Sequence, residues 1–291
     1  MRILAPVLNV DEFESVFRAG YKKSFKFAPP EVGRILVVAD VAGETLTEYE
    51  GACRKLVEPL GPDDVEWTIR GEGSWEGVQG LLDMVDEVKP DVIVTYRNLN
   101  SDAWKWSYSL GVYVNAITMG LRLPILVTPN PRAFPGLAWQ HSRTDSVMVV
   151  NDSLVGDDRL VNWGAELVRD AGVLHLTHME HDEIFARYID AISKIPELDT
   201  DTARETLLAQ LLKEPREYVA SCRAALDEAG VPVTVKEHVQ EGHRAADYAR
   251  IIEENEVDLV VFPALEEDRI ALHGAAYSLA VELVNTPLLM V

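Results

Sequence analysis

VQEGHRAADYARIIEENEVDLVVF, residues 239–262, is the stretch from which the fold class is most directly inferred. A predicted strand ends at Val239, a glycine turn follows at Gly242, and a helical pattern covers residues 243–256. The short apolar run over 258–262 is typical of a buried strand. A strand, a helix and a second strand in this order indicate a βαβ unit, in which the helix covers a parallel sheet.

The same alternation extends through the rest of the chain. In the first half we predict strands over 3–7, 34–40, 65–70, 91–96 and 124–128, and helices over 11–22, 44–58, 74–88 and 105–120. In the second half we predict strands over 146–151, 173–179, 232–239, 258–262 and 287–291. Its helices are predicted over 157–171, 204–229, 243–256 and 274–285, with a polar, partly helical segment at 182–203. This alternation predicts an α/β fold with mainly parallel sheets.

The two halves also resemble each other in sequence. VKPDVIVTYR, residues 88–97, aligns with NEVDLVVFPA, residues 255–264, and thirteen positions lead from Gly111 to Pro124 as they do from Gly274 to Pro287. We therefore predict a duplicated domain, with one copy at 1–128 and the other at 146–291. Residues 129–145 contain three prolines without clear periodicity, and we interpret them as the linker.

Composition limits the classes of partner. The formal net charge is -21, and such a surface repels nucleic acid and anionic membranes, which require clustered Lys and Arg. No apolar run approaches the roughly 18–20 residues of a membrane span. Cys53 and Cys222 are the only cysteines and form no CxxC motif, so we expect a reducing cytoplasm. The start, MRILAPVLNVDEF, lacks the basic flank and the long apolar run of a signal peptide.

Several stretches resemble the universal stress protein family in its tandem, two-domain form. SVMVVNDS, residues 146–153, resembles that family's first strand, which ends in the aspartate that faces adenine, and the matching residue is Asp152. Residues 239–262 resemble the third strand, its turn at Gly242, the third helix and the fourth strand. In the first half RILAPVLNV, residues 2–10, resembles the first strand, with Leu8 at the aspartate position.

The resemblance implies two Rossmann-like domains of the adenine nucleotide alpha hydrolase-like type. Each would be a five-stranded, mainly parallel sheet flanked by helices, and the two would pair along their last strands as an intramolecular pseudo-dimer. ATP-binding members of the family carry G-x2-G-x9-G-(S/T) after the fourth strand. Its glycines let backbone N–H groups approach the phosphates closely.

This chain departs from that motif in both halves. In the second half Gly274 matches the last glycine, but Ala275 replaces the hydroxyl residue and Pro263, which has no N–H, stands at the first glycine. The loop also carries three acids, Glu266, Glu267 and Asp268. Two like charges about 4 Å apart repel by roughly 4 kcal/mol at an effective dielectric near 20. The first half keeps Gly111 but has RNLNSDAWKWSYSL, residues 97–110, instead of a glycine loop.

We therefore expect a non-catalytic stress-response or regulatory protein that does not bind ATP in the family manner and uses no cofactor. It would act through protein contacts, and a further homodimer of the whole chain stays open. One alternative is that ATP, AMP or adenosine binds at Asp152, Gly242 and Gly274, with or without weak hydrolysis. Another is an enzyme that acts on an unrelated small molecule, because a fold alone does not imply a function.

Two other motifs have weaker functional interpretations. GEGSWEGVQG, residues 71–80, suggests a dinucleotide-binding fingerprint, but its spacing is G-x-G-x3-G, and we interpret it as a tight strand-to-helix turn. HLTHMEHDE, residues 175–183, places His178 and His181 near Asp182 and Glu183. His175 and His178 point to opposite faces of an extended strand and could meet at a metal ion only if the strand ended early. His178 and His181 at the strand exit could meet with Asp182 or Glu183, but ordinary strand-end residues are the simpler interpretation, and we predict no metal site.

Overall fold

The computed structural model describes residues 24–61, 64–106, 109–133, 143–151, 154–264 and 275–291. The predicted first strand and first helix, over 3–7 and 11–22, lie outside the described residues. In this part of the chain, short strands alternate with helices almost throughout.

The first half contains β1 (Arg34–Val38), α1 (Gly43–Leu56), β2 (Glu66–Arg70), α2 (Gly77–Val88), β3 (Val92–Tyr96), α3 (Val112–Gly120) and β4 (Ile125–Thr128). The second half contains β5 (Ser146–Val150), α4 (Asp158–Leu167), β6 (Val173–His181), α5 (Asp182–Ile192), α6 (Thr200–Glu228), β7 (Thr234–Gly242), α7 (Arg244–Glu254), β8 (Leu259–Phe262), α8 (Ala275–Glu282) and β9 (Leu288–Met290). The helix predicted over 105–120 begins later, at Val112, because Gly111 has a φ of +100° and cannot continue a helix.

The described strands form one nine-stranded sheet in the order β2-β1-β3-β4-β9-β8-β5-β6-β7. The last strands of the two halves therefore pair, as the resemblance implied. The described residues supply four strands from the first half and five from the second, and the count of five in the first half stays a prediction because residues 3–7 lie outside them. Neighbouring strands are parallel except β4 and β9, which pair antiparallel, with Leu126 opposite Leu289. Both strands are fully buried and apolar, so each covers the edge that the other would expose.

The burial of the strands follows their place in the sheet. β3, with the sequence VIVTY, and β4, with ILVT, lie near the centre and are buried along their whole length. The edge strands β2 and β7 are mostly half-buried or exposed. Continuous apolar runs are typical of strands covered on both faces, whereas edge strands tolerate charged residues.

Because crossovers between parallel strands are right-handed almost without exception, the observed strand order puts the helices on both faces of the sheet. On one face α4 packs against β5, β6 and β8, and it also contacts the short turn Glu58–Leu60 that follows α1. On the other face α2 packs against α3, and α7 packs against α8. Both faces of the sheet thus carry helices from each half.

The first described segment crosses from one half to the other. The Phe25 N–H donates to Ser221 Oγ at 3.0 Å, and the Ala28 N–H donates to Asn162 Oδ1 at 2.9 Å. The Phe25 ring also packs edge-on against Tyr218, with 6.4 Å between ring centroids. The chain therefore contacts α4 and α6 of the second half before it enters β1 in the first.

None of the described helices has both the length and the apolar character that a membrane-crossing segment requires.

Candidate functional site

The carboxyl ends of β1 and β3 form the position at which open α/β sheets usually bind ligands. β1 leads through α1 to β2 on one side, and the chain then crosses to β3 on the other side of β1. A crevice opens where neighbouring connections run in opposite directions. The corresponding position in the second half lies between β5 and β8.

Asp40 lies two residues after β1, in this first-half crevice. Counted outward from the β4–β9 pair, β1 and β5 occupy the same place in the strand order, and Asp152 lies two residues after β5. Asp40 is thus the first-half counterpart of Asp152. Leu8, to which the sequence resemblance assigned that position, lies outside the described residues, and among the described strands Arg34–Val38 is the one that pairs with β3 on this side.

The Asp40 carboxylate is already engaged by the chain itself. Its side chain is buried, and its Oδ2 accepts a hydrogen bond from Arg132 Nη1 at 2.6 Å. Arg132 Nη2 donates to the Asp40 carbonyl oxygen at 2.7 Å, so the guanidinium contacts side chain and backbone together. The Tyr96 hydroxyl donates to Asp40 Oδ1 and accepts the Asp40 N–H at 2.9 Å. Both carboxylate oxygens therefore have partners.

Surrounding contacts hold Tyr96 in place. Its ring packs edge-on against Tyr49, with 5.2 Å between centroids, and the Tyr49 hydroxyl lies 3.1 Å from Thr128 Oγ1. Burial, together with the hydrogen bond to Asp40, raises the pKa of Tyr96 well above its ordinary value. The phenol stays protonated at neutral pH and acts as a donor to the carboxylate.

Arg132 is positioned by Asn130. The Asn130 Oδ1 accepts the Arg132 N–H at 2.9 Å, and its Nδ2 donates to the Arg97 carbonyl oxygen at 2.7 Å. Partial burial opposes the charge on Arg132, but the neighbouring Asp40 carboxylate outweighs it and raises the pKa of Arg132. A residue from the predicted linker thus closes the crevice with a permanent positive charge.

Gly111 in the first half has a structural explanation that needs no phosphate. A Cβ there would lie 2.7 Å from the Asn98 Cα and 3.0 Å from the Asn98 nitrogen. The Asn98 N–H in turn donates to the Leu110 carbonyl oxygen at 2.7 Å. The glycine therefore permits a close approach between two stretches of the chain's own backbone.

Of the three residues predicted to line a nucleoside site, only Gly242 is described. Asp152 and Gly274 lie outside the described residues, so a site formed by the three stays a prediction. Gly242 ends the edge strand β7, and a Cβ there would lie 2.4 Å from Asp247 Oδ2. That carboxylate oxygen accepts the His243 N–H at 2.8 Å at the start of α7. Close packing of a helix start explains this glycine.

The histidines of β6 do not assemble a metal site. β6 continues to His181, so His178 and His181 both lie on the extended strand, three residues apart, and face opposite sides. His181 Nδ1 lies 3.4 Å from Asp182 Oδ1. Within the described ranges, no group of three or more His, Cys, Asp or Glu side chains is placed to hold a metal ion.

His175, which is buried, forms a chain of hydrogen bonds with the half-buried Ser146 and His238 instead. Ser146 Oγ donates to the Asn255 carbonyl at 3.1 Å, so it accepts from His175 Nε2 at 3.2 Å. His175 Nδ1 must then accept from His238 Nε2 at 2.9 Å. Burial, with the neighbouring His238 charge, lowers the pKa of His175 to about 4, and burial lowers the pKa of His238.

Two open grooves lie at the amino-terminal edge of the second half. One, of about 600 Å³, is lined by Glu58, Arg143, Asp145, Glu166, Arg169 and Asp170, among others. The other, of about 430 Å³, lies beside the starts of β8 and β9. Neither includes Asp40, so the grooves are separate from the crevice at the carboxyl edge.

Sequence reasoning missed Asp40, Tyr96 and Arg132. A signal for Asp40 exists, since VVAD at 37–40 parallels VVND at 149–152. Arg132 carries no such signal, because it stands alone between prolines in a stretch without periodicity. Tyr96 lies in a predicted strand, where an aromatic residue ordinarily indicates core packing.

Comparison with known proteins gives distant structural similarity only. No model of a known protein family matches the chain, and no curated protein sequence matches it. A functionally unknown protein from Pseudomonas aeruginosa PAO1 is 13% identical, with 89% of this chain and 92% of that chain covered and a TM-score of 0.46. A universal stress protein from Archaeoglobus fulgidus DSM 4304 is 12% identical, with coverages of 89% and 85% and a TM-score of 0.47. Similarity at this level carries no inference about what this chain binds.

Proposed function

We propose that this chain is a non-catalytic regulatory protein of the universal stress type that acts through protein contacts and does not bind ATP in the family manner. The proposal builds on the sequence resemblance and on two tandem domains, 1–128 and 146–291, packed through β4 and β9 as a pseudo-dimer. The observation that carries it is the engagement of both Asp40 carboxylate oxygens by Arg132 and Tyr96. A ligand that used Asp40 would first have to displace a charged and a buried partner.

The sequence of the second half supports the same proposal. Pro263 removes one backbone donor at the start of the loop after β8, and three acids follow at 266–268. Micromolar binding is worth about 8 kcal/mol, and two repulsive contacts of about 4 kcal/mol each would cancel it. ATP binding in either half would therefore be weak.

Helix α5 supports a role in protein contacts. Ile184 and Tyr188 lie one turn apart on this helix, with 40% and 56% of their surfaces exposed, and Ile195 and Leu198 continue in the turn that follows with 45% and 49%. Apolar side chains exposed together in this way are typical of surfaces that another protein covers.

Calorimetry with ATP, AMP and adenosine, each with and without Mg²⁺, tests the proposal. The protein should first be unfolded and refolded, and the released fraction analysed by mass spectrometry for bound small molecules. We expect no saturable heat at micromolar ligand and no nucleotide in the released fraction. Micromolar, magnesium-dependent ATP binding would overturn the proposal.

Two matched variants assign any binding to one half. Asp40→Asn removes the carboxylate of the first-half crevice, and Asp152→Asn removes its counterpart in the second half. Adenosine binding that is lost only in Asp152→Asn would favour the nucleoside site at Asp152, Gly242 and Gly274. Binding that is lost only in Asp40→Asn would show that the Arg132 contact opens.

A further inference from the structure

Arg97 is a buried cation at the junction between the two halves. It directly follows β3, and only 3% of its surface is exposed. Its Nη1 donates to the Val281 carbonyl oxygen in α8 at 3.1 Å, which links the first half to the last helix of the second. Burial lowers the pKa of Arg97 to about 10, so the guanidinium remains charged at neutral pH.

This cation lacks a compensating anion in the described part of the chain. Its Nε and Nη2 are both buried and have no hydrogen-bond partner. Arg132, although 38% of its side chain is exposed, lies 2.6 Å from the Asp40 carboxylate, whereas Arg97 forms no ion pair with a carboxylate among the described residues. A buried charge without a partner is strongly unfavourable, and native proteins usually supply a counterion or water at such a place.

The two unpartnered nitrogens have a specific geometry. In a planar guanidinium the Nε–H and the Nη2–H point in the same direction and form the fork that receives carboxylates and other anions side-on. The third nitrogen, Nη1, is the one that contacts α8. The open fork is therefore the part of Arg97 best suited to an anion.

Thr95 adds a further donor on the same side of the sheet. It lies two residues before Arg97, so its side chain leaves the strand on the same face. It is fully buried, and its Oγ1 has no hydrogen-bond partner. Hydroxyl and guanidinium groups both donate, so this location offers donors to a ligand that can only accept.

We propose that the Nε/Nη2 fork of Arg97 binds a small monovalent anion, of the size of chloride, bromide or formate, enclosed between β3 and α8. The burial of both nitrogens excludes a nucleotide or any ligand that must remain in contact with solvent. The anion neutralises the guanidinium at the junction between the halves. The side chains that contact Asp40, Tyr96 and Arg132, do not belong to this site.

Thermal unfolding at constant ionic strength tests the site. The protein is dialysed into sodium gluconate, whose anion is too large to be enclosed, and then titrated with sodium chloride, bromide or formate. An anion that binds only the native state raises the midpoint temperature of unfolding once the anion concentration exceeds the dissociation constant of the site. We expect a rise of about 2 °C or more for the wild type at tenfold excess over that constant.

Arg97→Met removes the fork while keeping an unbranched apolar side chain, and should abolish the anion-specific rise. Arg34→Met is the matched control, because Arg34 lies on the surface beside Glu66 and should leave the rise intact. Should Arg97→Met fail to fold, Thr95→Val keeps the cation and removes only the hydroxyl, and should weaken halide affinity at least threefold. Equal midpoints in chloride and gluconate for the wild type would overturn the proposal.

Crystals grown in sodium bromide give a direct readout. We expect an anomalous difference peak within hydrogen-bond distance of Arg97 Nε and Nη2, and its absence in Arg97→Met crystals. Wild-type density at that position without anomalous signal would identify a water molecule and would reject the anion.

Discussion

The Asp40 carboxylate receives hydrogen bonds from two side chains that come from distant parts of the sequence. Tyr96 is the last residue of β3, and Arg132 lies four residues after the end of β4. Each is itself held, Tyr96 by the Tyr49 ring and Arg132 by Asn130. A group that several neighbours already hold loses little entropy when it forms its hydrogen bond. This network should therefore contribute more to the free energy of unfolding than an exposed ion pair does.

Asp40→Asn should lower the free energy of unfolding by about 2 kcal/mol, because a buried hydroxyl and a guanidinium lose their charged acceptor. Arg132 should contribute less of this free energy than Tyr96 does, since 38% of the Arg132 side chain reaches solvent and water screens its charge. Urea denaturation of Asp40→Asn, Arg132→Gln and the double variant measures the coupling.

The exposed pair Arg34–Glu66 provides the control for that measurement. The two side chains are 39% and 64% exposed, and Glu66→Gln should change the stability by less than about 0.5 kcal/mol. An effect of Asp40→Asn as small as that of Glu66→Gln would contradict the network.

The hydrogen-bonded pair of His175, which is buried, and His238, which is half-buried, should make stability depend on pH. Both pKa values are lowered in the folded protein, so the unfolded chain binds more protons below the ordinary pKa of 6.5. Stability is therefore fully present above about pH 6.5 and is lost as the pH falls towards 4. The positive charges of Lys236 and Arg250 lower the pKa of His238 further, in addition to burial.

His175→Gln should reduce this dependence. The glutamine does not titrate, and we expect the loss of unfolding free energy between pH 7 and pH 5 to be smaller than in the wild type by about 2 kcal/mol. Urea unfolding at both pH values measures the difference, and His181→Gln, at the far end of β6, serves as the control. Identical slopes for wild type and His175→Gln would show that other groups carry the pH dependence.

At the scale of elements, helix α4 lies unusually close to the sheet. A Cβ on Gly164 would lie 2.7 Å from Val149 Cγ2 and 3.0 Å from Leu174 Cδ1. Val149 belongs to β5 and Leu174 to β6, so the glycine lets the helix approach two strands at once. The helix itself would prefer alanine by about 1 kcal/mol.

Gly164→Ala should therefore destabilise the protein by about 1–3 kcal/mol in spite of its better helix propensity, because overpacking outweighs it. Gly51→Ala in α1 is the matched control, since no atom lies within 4 Å of the added Cβ. That variant should be more stable by about 0.5–1 kcal/mol. Chemical denaturation of both gives the comparison, and a stabilised Gly164→Ala would mean that α4 can shift away from the sheet.

The elements themselves could be predicted from local pattern, and the contacts between them could not. β3 and β8 are short, largely apolar runs that each follow an aspartate, and such runs are typical of buried strands. Arg132 lies in a stretch without helix or strand periodicity, so nothing in the sequence predicts its hydrogen bond to Asp40. The pairing of β4 with β9 joins residues more than 160 positions apart, and only the family resemblance, not the local pattern of either strand, indicated it.

At the scale of the whole molecule, the continuous sheet should keep the halves together without the covalent connection. We expect a chain cut by a protease at a recognition sequence inserted between Ala133 and Arg143 to elute as one particle and to unfold in one transition. Leu289 is buried and faces Leu126 across the two strands, so Leu289→Asp should let the cut fragments separate. Fragments of the otherwise unchanged chain that separate after cleavage would show that the sheet alone does not hold the halves.

The hydrogen bond from Arg97 to Val281 has a consequence for how the chain can evolve. The first-half segment VKPDVIVTYR places Arg97 opposite Ala264 of NEVDLVVFPA, so the reciprocal bond does not exist. In a homodimer, rotational symmetry repeats every contact and every mutation on both sides of the axis. Two halves of a single chain can change independently. One half can therefore carry an arginine at position 97 while the other keeps an alanine at position 264.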